Sequence, residues 1–378
     1  MKQTVLWLEA VLVLALLTVS ASASQFRNGN FYSAGFQPDG IAVADFNNDG
    51  HLDMAIGDYA QGNNVEIFLG NGDGSFRDPL SFAAPRDMAP GSLAAADLNA
   101  DGITDLVIGG DGIVIASFLG VGDGTFTLAA KYEVSVPLSV AVADLNGDNI
   151  PDIAVASDGS SDAEVLIGNG DGTFQHAAHY PLDYGTEDLV ISDLNGDGHP
   201  DLAVVVFCSP HPKRCQVGEV SVLLNRGDGT FQSPLNFNVG SGPIGIAAAD
   251  VNHDGTQDLV VTNGSYAAPS TISVLRGKGD GTFAAAVDYQ VEDGPIAVAV
   301  SDFDGDHNLD LAVCNADSND LSLLRGHRVG KFHEAGSYPV SGQPVAIALG
   351  DFNEDGAPDL AVVILGGAVQ LLINTSTL

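Results

Sequence analysis

The chain has 378 residues, with 49 Asp and Glu against 13 Lys and Arg and a formal net charge of -36. Such an imbalance repels nucleic acid and anionic membrane surfaces. An apolar content of 45% and 46 glycines exclude a disordered acidic polymer and suit a packed core joined by many tight turns.

In chain order the first element is an export signal. Lys2 gives a positive start, Val5 to Val19 is an apolar run broken by Glu9, and Ala21-Ser22-Ala23 is an A-x-A cleavage site. Residues 1–23 are therefore read as a secretory signal peptide, with a mature chain from Ser24. The run is short of the ~20 residues that a membrane helix needs. No membrane span is expected once the signal is removed, and the expected location is extracellular, cell-surface or periplasmic.

The rest of the chain is a repeat. The pattern D-x-[ND]-x-D-G-x-x-D begins at Asp45, Asp97, Asp144, Asp193, Asp250, Asp302 and Asp351, at steps of 52, 47, 49, 57, 52 and 49 residues. Periods of this length mean stacked supersecondary units. In each unit an apolar stretch precedes the pattern and another follows it. A third ends at a tight turn such as G-D-G-T-F, and Asp-Gly between apolar and aromatic residues is a strong hairpin signal. A fourth stretch joins the Phe of that turn to a second aromatic residue six positions on, as in Phe126/Tyr132 and Phe231/Phe237. These strict pairs are read as packing between units.

Four short strands per unit and no helical periodicity predict an all-β fold. The expected architecture is a seven-bladed β-propeller of four-stranded antiparallel blades spanning residues 24–378. The seventh unit stops after its third strand, at Leu371 to Asn374, whereas Asn28 to Phe31 and then Tyr32 to Phe36 resemble a lone fourth strand. The last blade is therefore expected to be closed by the N-terminal strand, with residues 30–36 beside 368–374.

The spacing within the pattern fits calcium, which takes several hard oxygen ligands in flexible geometry. Alternate positions 1, 3 and 5 aim side chains inward, a backbone carbonyl serves at position 7, and the aspartate at position 9 closes the cage. The candidate ligands are Asp45, Asn47, Asp49 and Asp53 in the first loop, then Asp97, Asn99, Asp101 and Asp105 in the second. The third offers Asp144, Asn146, Asp148 and Asp152, and the fourth Asp193, Asn195, Asp197 and Asp201. Asp250, Asn252, Asp254 and Asp258 follow, then Asp302, Asp304, Asp306 and Asp310, and finally Asp351, Asn353, Asp355 and Asp359. Position 6 must turn sharply; it is Gly in five loops, Asn149 in the third and His307 in the sixth. Both are among the residues that best tolerate a positive φ. Position 12 is apolar, which excludes an EF-hand. Up to seven calcium ions are expected, and seven divalent cations would offset more than a third of the net charge.

Taken together, the loops and four-strand units resemble the FG-GAP/VCBS repeats and the integrin α-subunit head. The literal F-G and G-A-P tripeptides are poorly kept, so the bacterial-type repeat proteins are the nearer resemblance. It implies a non-catalytic binding or adhesion module whose partner, a protein or a glycan, docks on the face away from the calcium loops. A carbohydrate-binding lectin and a polysaccharide lyase or hydrolase are the alternatives. No nucleophile elbow, phosphate loop or His-rich zinc motif appears.

Three further features stand out. Cys208 and Cys215 flank a short Pro-containing segment and are expected to form a local disulfide, while Cys314, in an apolar run, is expected to be buried and free. The loop between the two cysteines holds Lys213 and Arg214, rare basic residues on an acidic chain and the expected first contacts with a partner. Arg226-Gly227-Asp228 lies in a repeated turn and is read as chance, and His176 and His179 as solvated.

Overall fold

The computed structural model describes residues 25–59, 63–207, 218–264 and 269–376. The export signal, the Cys208/Cys215 pair, Lys213 and Arg214 lie outside the described residues.

Seven four-stranded antiparallel sheets form the molecule, and no helix is present among the described residues. Blade 1 shows the plan. Strand A (Pro38–Ala44) leads into the aspartate loop, strand B (Asp53–Asp58) returns, strand C (Asn64–Phe68) pairs with B, and strand D (Leu80–Ala83) lies outermost. Strand B is buried along its whole length, whereas strand D is mostly exposed. Neighbouring blades cover both faces of a B strand, which is why it reads as a continuous apolar run rather than an alternating one. The core divides into clusters between adjacent blades, such as Ile67 and Ala55 against Leu106 and Phe118 for blades 1 and 2.

The aromatic pairs bind one blade to the next. Tyr132 of blade 2 meets Phe174 of blade 3 edge-on at 6.0 Å, and its hydroxyl accepts the Phe174 N–H at 2.6 Å. Equivalent contacts join Tyr180 to Phe231, Phe237 to Phe283 and Tyr289 to Phe332 at 5.2–5.6 Å.

Blade 7 consists of Pro344–Gly350, Asp359–Ile364, Ala368–Asn374 and, as its fourth strand, Phe26–Ser33 from the other end of the chain. Ring closure is therefore as expected, but the register is not. The pairs run from Phe26↔Asn374 to Ser33↔Ala368, so residues 34–36 fall outside the strand. Phe26, not Phe31, fills the turn-aromatic place: it is 4% exposed and packs against Phe303 and Tyr338, while Phe31 is 53% exposed. The six-residue spacing of the other blades already marks Phe26 and Tyr32 as the pair. Tyr32 completes the circle on Phe76 of blade 1 at 5.4 Å.

Six of the seven A strands begin with proline, and each carries a register shift directly after it. Proline has no N–H to give to the ladder and is tolerated at a strand start or bulge. Blade 4 has Gly185 instead, and its shift falls between Thr186 and Leu189, displacing Glu187 and Asp188 from the pairing.

Candidate metal centres

Every aspartate loop has eight residues between strands A and B, and the side chains that could hold a cation also hold the loop. In blade 1, Asp45 Oδ2 accepts the Gly50 N–H at 2.8 Å and Oδ1 accepts the Asp49 N–H at 3.2 Å. Asn47 Oδ1 accepts the same Asp49 N–H at 2.9 Å, and Asp49 Oδ1 accepts the His51 N–H at 3.1 Å. The bond from position 6 to position 1 recurs in all seven loops at 2.8–2.9 Å. Asn149 and His307 reach it with φ of 64° and 67°, the left-handed conformation expected of them. Position 4 is also left-handed in every loop, even at Ala100 and Glu354. The sequence carries little sign of this, because that position has no fixed residue type.

The aspartate at position 9 has a second task. Asp53 is fully buried; its Oδ2 accepts the Phe46 N–H at 2.8 Å and its Oδ1 the Gly70 N–H at 2.7 Å. The same two bonds recur at Asp105, Asp152, Asp201, Asp258, Asp310 and Asp359. This carboxylate therefore ties the loop to the end of strand C, with lone pairs to spare for a ligand. Burial, reinforced by the charges of the aspartates at positions 1 and 5, pushes Asp53, Asp201 and Asp359 up to about 6. Asp258 and Asp310 are likewise pushed up to about 6, with burial the leading cause.

These residues fit a hard divalent cation. The side chains of positions 1, 3, 5 and 9 offer oxygen throughout, and each loop concentrates three or four carboxylates. Among the described residues, protein cations reach few of them: Arg77 lies 3.3 Å from Asp49, and Arg325 pairs with Asp304 in blade 6. Blade 6 also brings oxygens of Asp302, Asp304 and Asp310 within 4.8 Å of one another. When bound, calcium would supply the missing positive charge; the chain's own part is to hold the oxygens in place.

Turns of neighbouring blades lock onto these loops. Gly74 of the blade 1 G-D-G turn donates to Phe352 O of blade 7 at 2.8 Å, and Asn225 Nδ2 of blade 4 to Leu145 O of blade 3 at 2.8 Å. The aspartates of the turns serve the turns themselves. Asp228 Oδ1 accepts the N–H and the hydroxyl of Thr230 at 3.0 and 2.6 Å, so the Arg226-Gly227-Asp228 triplet is part of a repeated turn.

The opposite end of the ring differs. There the first halves of the A strands enclose an axial cavity of about 390 Å³, lined among others by Asp39, Ser139, Glu187, Asp188 and Ile246. Asp188 braces three blades, accepting from Ser139 Oγ at 2.7 Å, Leu189 N at 2.8 Å and Ile246 N at 3.0 Å. Burial, followed by the charges of Asp158, Asp188 and Asp111, pushes Glu187 up to about 7. Burial and Asp111 push Asp39 up to about 6. Sequence reasoning missed this acidic mouth. Its signal in the sequence was the Glu187-Asp188 pair, at strand A positions where the other blades carry Gly, Ser or apolar residues and, in blade 1, Asp39. Cys314 is buried without a disulfide partner, as expected, and burial raises its thiol well above the usual range.

Comparison with known proteins agrees with this geometry. Among solved structures the chain is similar to BBS1N, in a crystal structure of its complex with ARL6DN soaked with lead. The TM-score is 0.65 at 10% identity, over 94% of this chain and 98% of that one. At that identity the likeness shows the fold alone. No curated protein matches the chain. The FG-GAP-like repeat model matches residues 45–108, 98–155, 144–204, 193–261 and 302–362, and the FG-GAP repeat model matches residues 243–282. With its propeller closed as described and these matches over most of its length, the chain belongs to the FG-GAP-like repeat family.

Proposed function

We propose that the protein is a secreted, non-catalytic binding or adhesion module whose seven loops are loaded with calcium and whose partner docks on the opposite face. The observation that carries this reading is the asymmetry between the two ends of the ring. One end repeats a single oxygen-rich loop in every blade, which suits a structural role. The other carries connections of unlike length around an acidic axial mouth, and binding residues concentrate on variable loops held by a rigid scaffold. Lys213 and Arg214 belong to the longest of those connections. The lectin alternative is weakened because the recurring aromatic residues are spent on packing between blades.

Two measurements test this. Calcium should raise the melting temperature steeply. A site at a hundredfold excess over its dissociation constant contributes about 2.7 kcal/mol, so several sites should shift the midpoint by about 10 °C or more. A chelator that leaves the melting curve unchanged would refute the calcium reading. A protein and glycan array probed with the calcium-loaded chain should then yield a ligand whose binding weakens when Lys213 and Arg214 are changed to Ser. Loss on changing Arg328 and Lys331, in the turn on the loop side, would instead place the partner on the other face.

A further inference from the structure

A second cluster of side chains that could hold a metal lies outside the aspartate loops. In blade 3, strand C (Asp162–Leu166) and strand D (Ala178–Pro181) pair with Glu164 opposite His179 and Asp162 opposite Pro181. Residues two apart on a strand share a face, and directly opposed residues share it across the pair. Asp162, Glu164 and His179 therefore converge: one ligand atom from each lies within 4.8 Å of the others. His179 Nδ1 is 3.3 Å from Asp162 Oδ2 and 3.7 Å from Glu164 Oε2.

The independent sign of a ligand is Glu164. The residue is 1% exposed, and its Oε2 is buried with no hydrogen-bond partner. A buried carboxylate oxygen left without a hydrogen bond is costly. The other oxygen has only a long contact of 3.4 Å from Ser160 Oγ. Blade 1 offers an internal control. Glu66 occupies the same place in its strand C and also has a buried oxygen without a partner, but the residue opposite is Ser81. Only blade 3 adds an imidazole. Beside the cluster runs a groove of about 400 Å³ between blades 2 and 3, lined by Ile113, Glu133, Ser135 and Ser160 together with Glu164 and His179.

We propose that Asp162, Glu164 and His179 form a site for a zinc-type divalent cation, distinct in chemistry from the seven all-oxygen loops. One imidazole nitrogen with two carboxylates is a donor set that zinc accepts. Three protein ligands leave a coordination position open, and the groove beside the cluster would give an oxygen donor of a partner access to it.

The test uses the whole chain in excess calcium, which keeps the loops occupied, with zinc as the probe. Calorimetric titration and metal counting after dialysis should find one zinc per chain. Loss of even an outer partner of a metal ligand costs about 10- to 100-fold in affinity, so His179→Ala should weaken zinc at least about tenfold. His179 is largely exposed, so this variant should fold normally. Glu164→Gln, which keeps the shape, should weaken zinc to a similar degree, while Glu66→Gln in blade 1 should not. Calcium stoichiometry should be the same in all four proteins. The proposal is overturned if the wild-type chain retains no zinc, or if it and His179→Ala bind zinc equally. Neither result would bear on the calcium loops, whose failure would show instead in the chelator melting experiment.

Discussion

The two ends of the propeller are built from the same strands and obey different rules. On the loop face every A–B connection has eight residues, and the bonds to positions 1 and 9 recur from blade to blade. On the other face the B–C connections run from three residues in blades 2 and 7 to ten in blade 4. The difference follows from where the hydrogen bonds go. An aspartate loop is closed by its own carboxylates, so an added or lost residue would misplace several buried partners at once. The described B–C turns bond through their backbones to the D–A connections, as Gly159 N does to Ser135 O at 3.1 Å, with no repeated set of carboxylates to fix their length.

The sharpest way to break the comparison is to open the ring. Removing residues 25–33 would take the fourth strand from blade 7 and leave Ala368–Asn374 as an unpaired apolar edge. Such an edge is a template for pairing with another chain. The truncated protein is expected to be insoluble or to elute as oligomers on size exclusion. A monomer with an unchanged melting curve would show that the closure is dispensable.

Next in size is a pair of substitutions, one per face. Asp152→Ala would strand the Leu145 and Gly168 N–H groups, both now donating to Asp152 at 2.8 Å inside the protein. Each buried donor left unpaired costs about 1–3 kcal/mol, so a loss of about 3 kcal/mol or more is expected in denaturant unfolding. Phe36→Ser removes a side chain that is 61% exposed at the opposite end and should change stability by less than about 0.5 kcal/mol. Equal losses would mean that the loop aspartates do no more than exposed surface residues.

The loop face was legible in the sequence because its pattern is local: each aspartate loop is written in nine residues, and seven copies remove ambiguity. The fourth strand of blade 7 was legible in kind, but its register was misplaced. Asn28-Gly29-Asn30 imitates a turn, whereas the spacing of Phe26 and Tyr32 carried the true register. The other end was poorly legible because its features are assembled across blades. Nothing local says that Glu187 and Asp39, 148 positions apart, line one cavity. His179 is exposed, as read, but its place opposite Glu164 is set by strand pairing and not by sequence distance.

The smallest expected effect separates the two faces by pH. Both hold carboxyls pushed up chiefly by burial: Asp53, Asp201, Asp258, Asp310 and Asp359 to about 6 on the loop side. At the axial mouth, Asp39 is at about 6 and Glu187 at about 7. A carboxyl whose folded value lies above its unfolded value of about 4 contributes stability that is fully present below the unfolded value. That stability is lost as pH rises through the folded one. The metal-free chain should therefore gain a few degrees in melting temperature as pH falls from about 7.5 to about 5. Calcium bound in the loops would reverse the sign for those groups alone, because it would hold them ionised and have to be displaced before they take protons. Asp39 and Glu187, at the other end of the A strands, keep theirs. In saturating calcium the melting temperature should then flatten or fall over the same interval. Glu187→Gln should reduce the acid gain of the metal-free chain and leave the difference between metal-free and calcium-loaded curves intact. If the two curves run parallel instead, the loop carboxylates are not the groups that calcium controls, and the contrast between the faces would have to rest on hydrogen bonding alone.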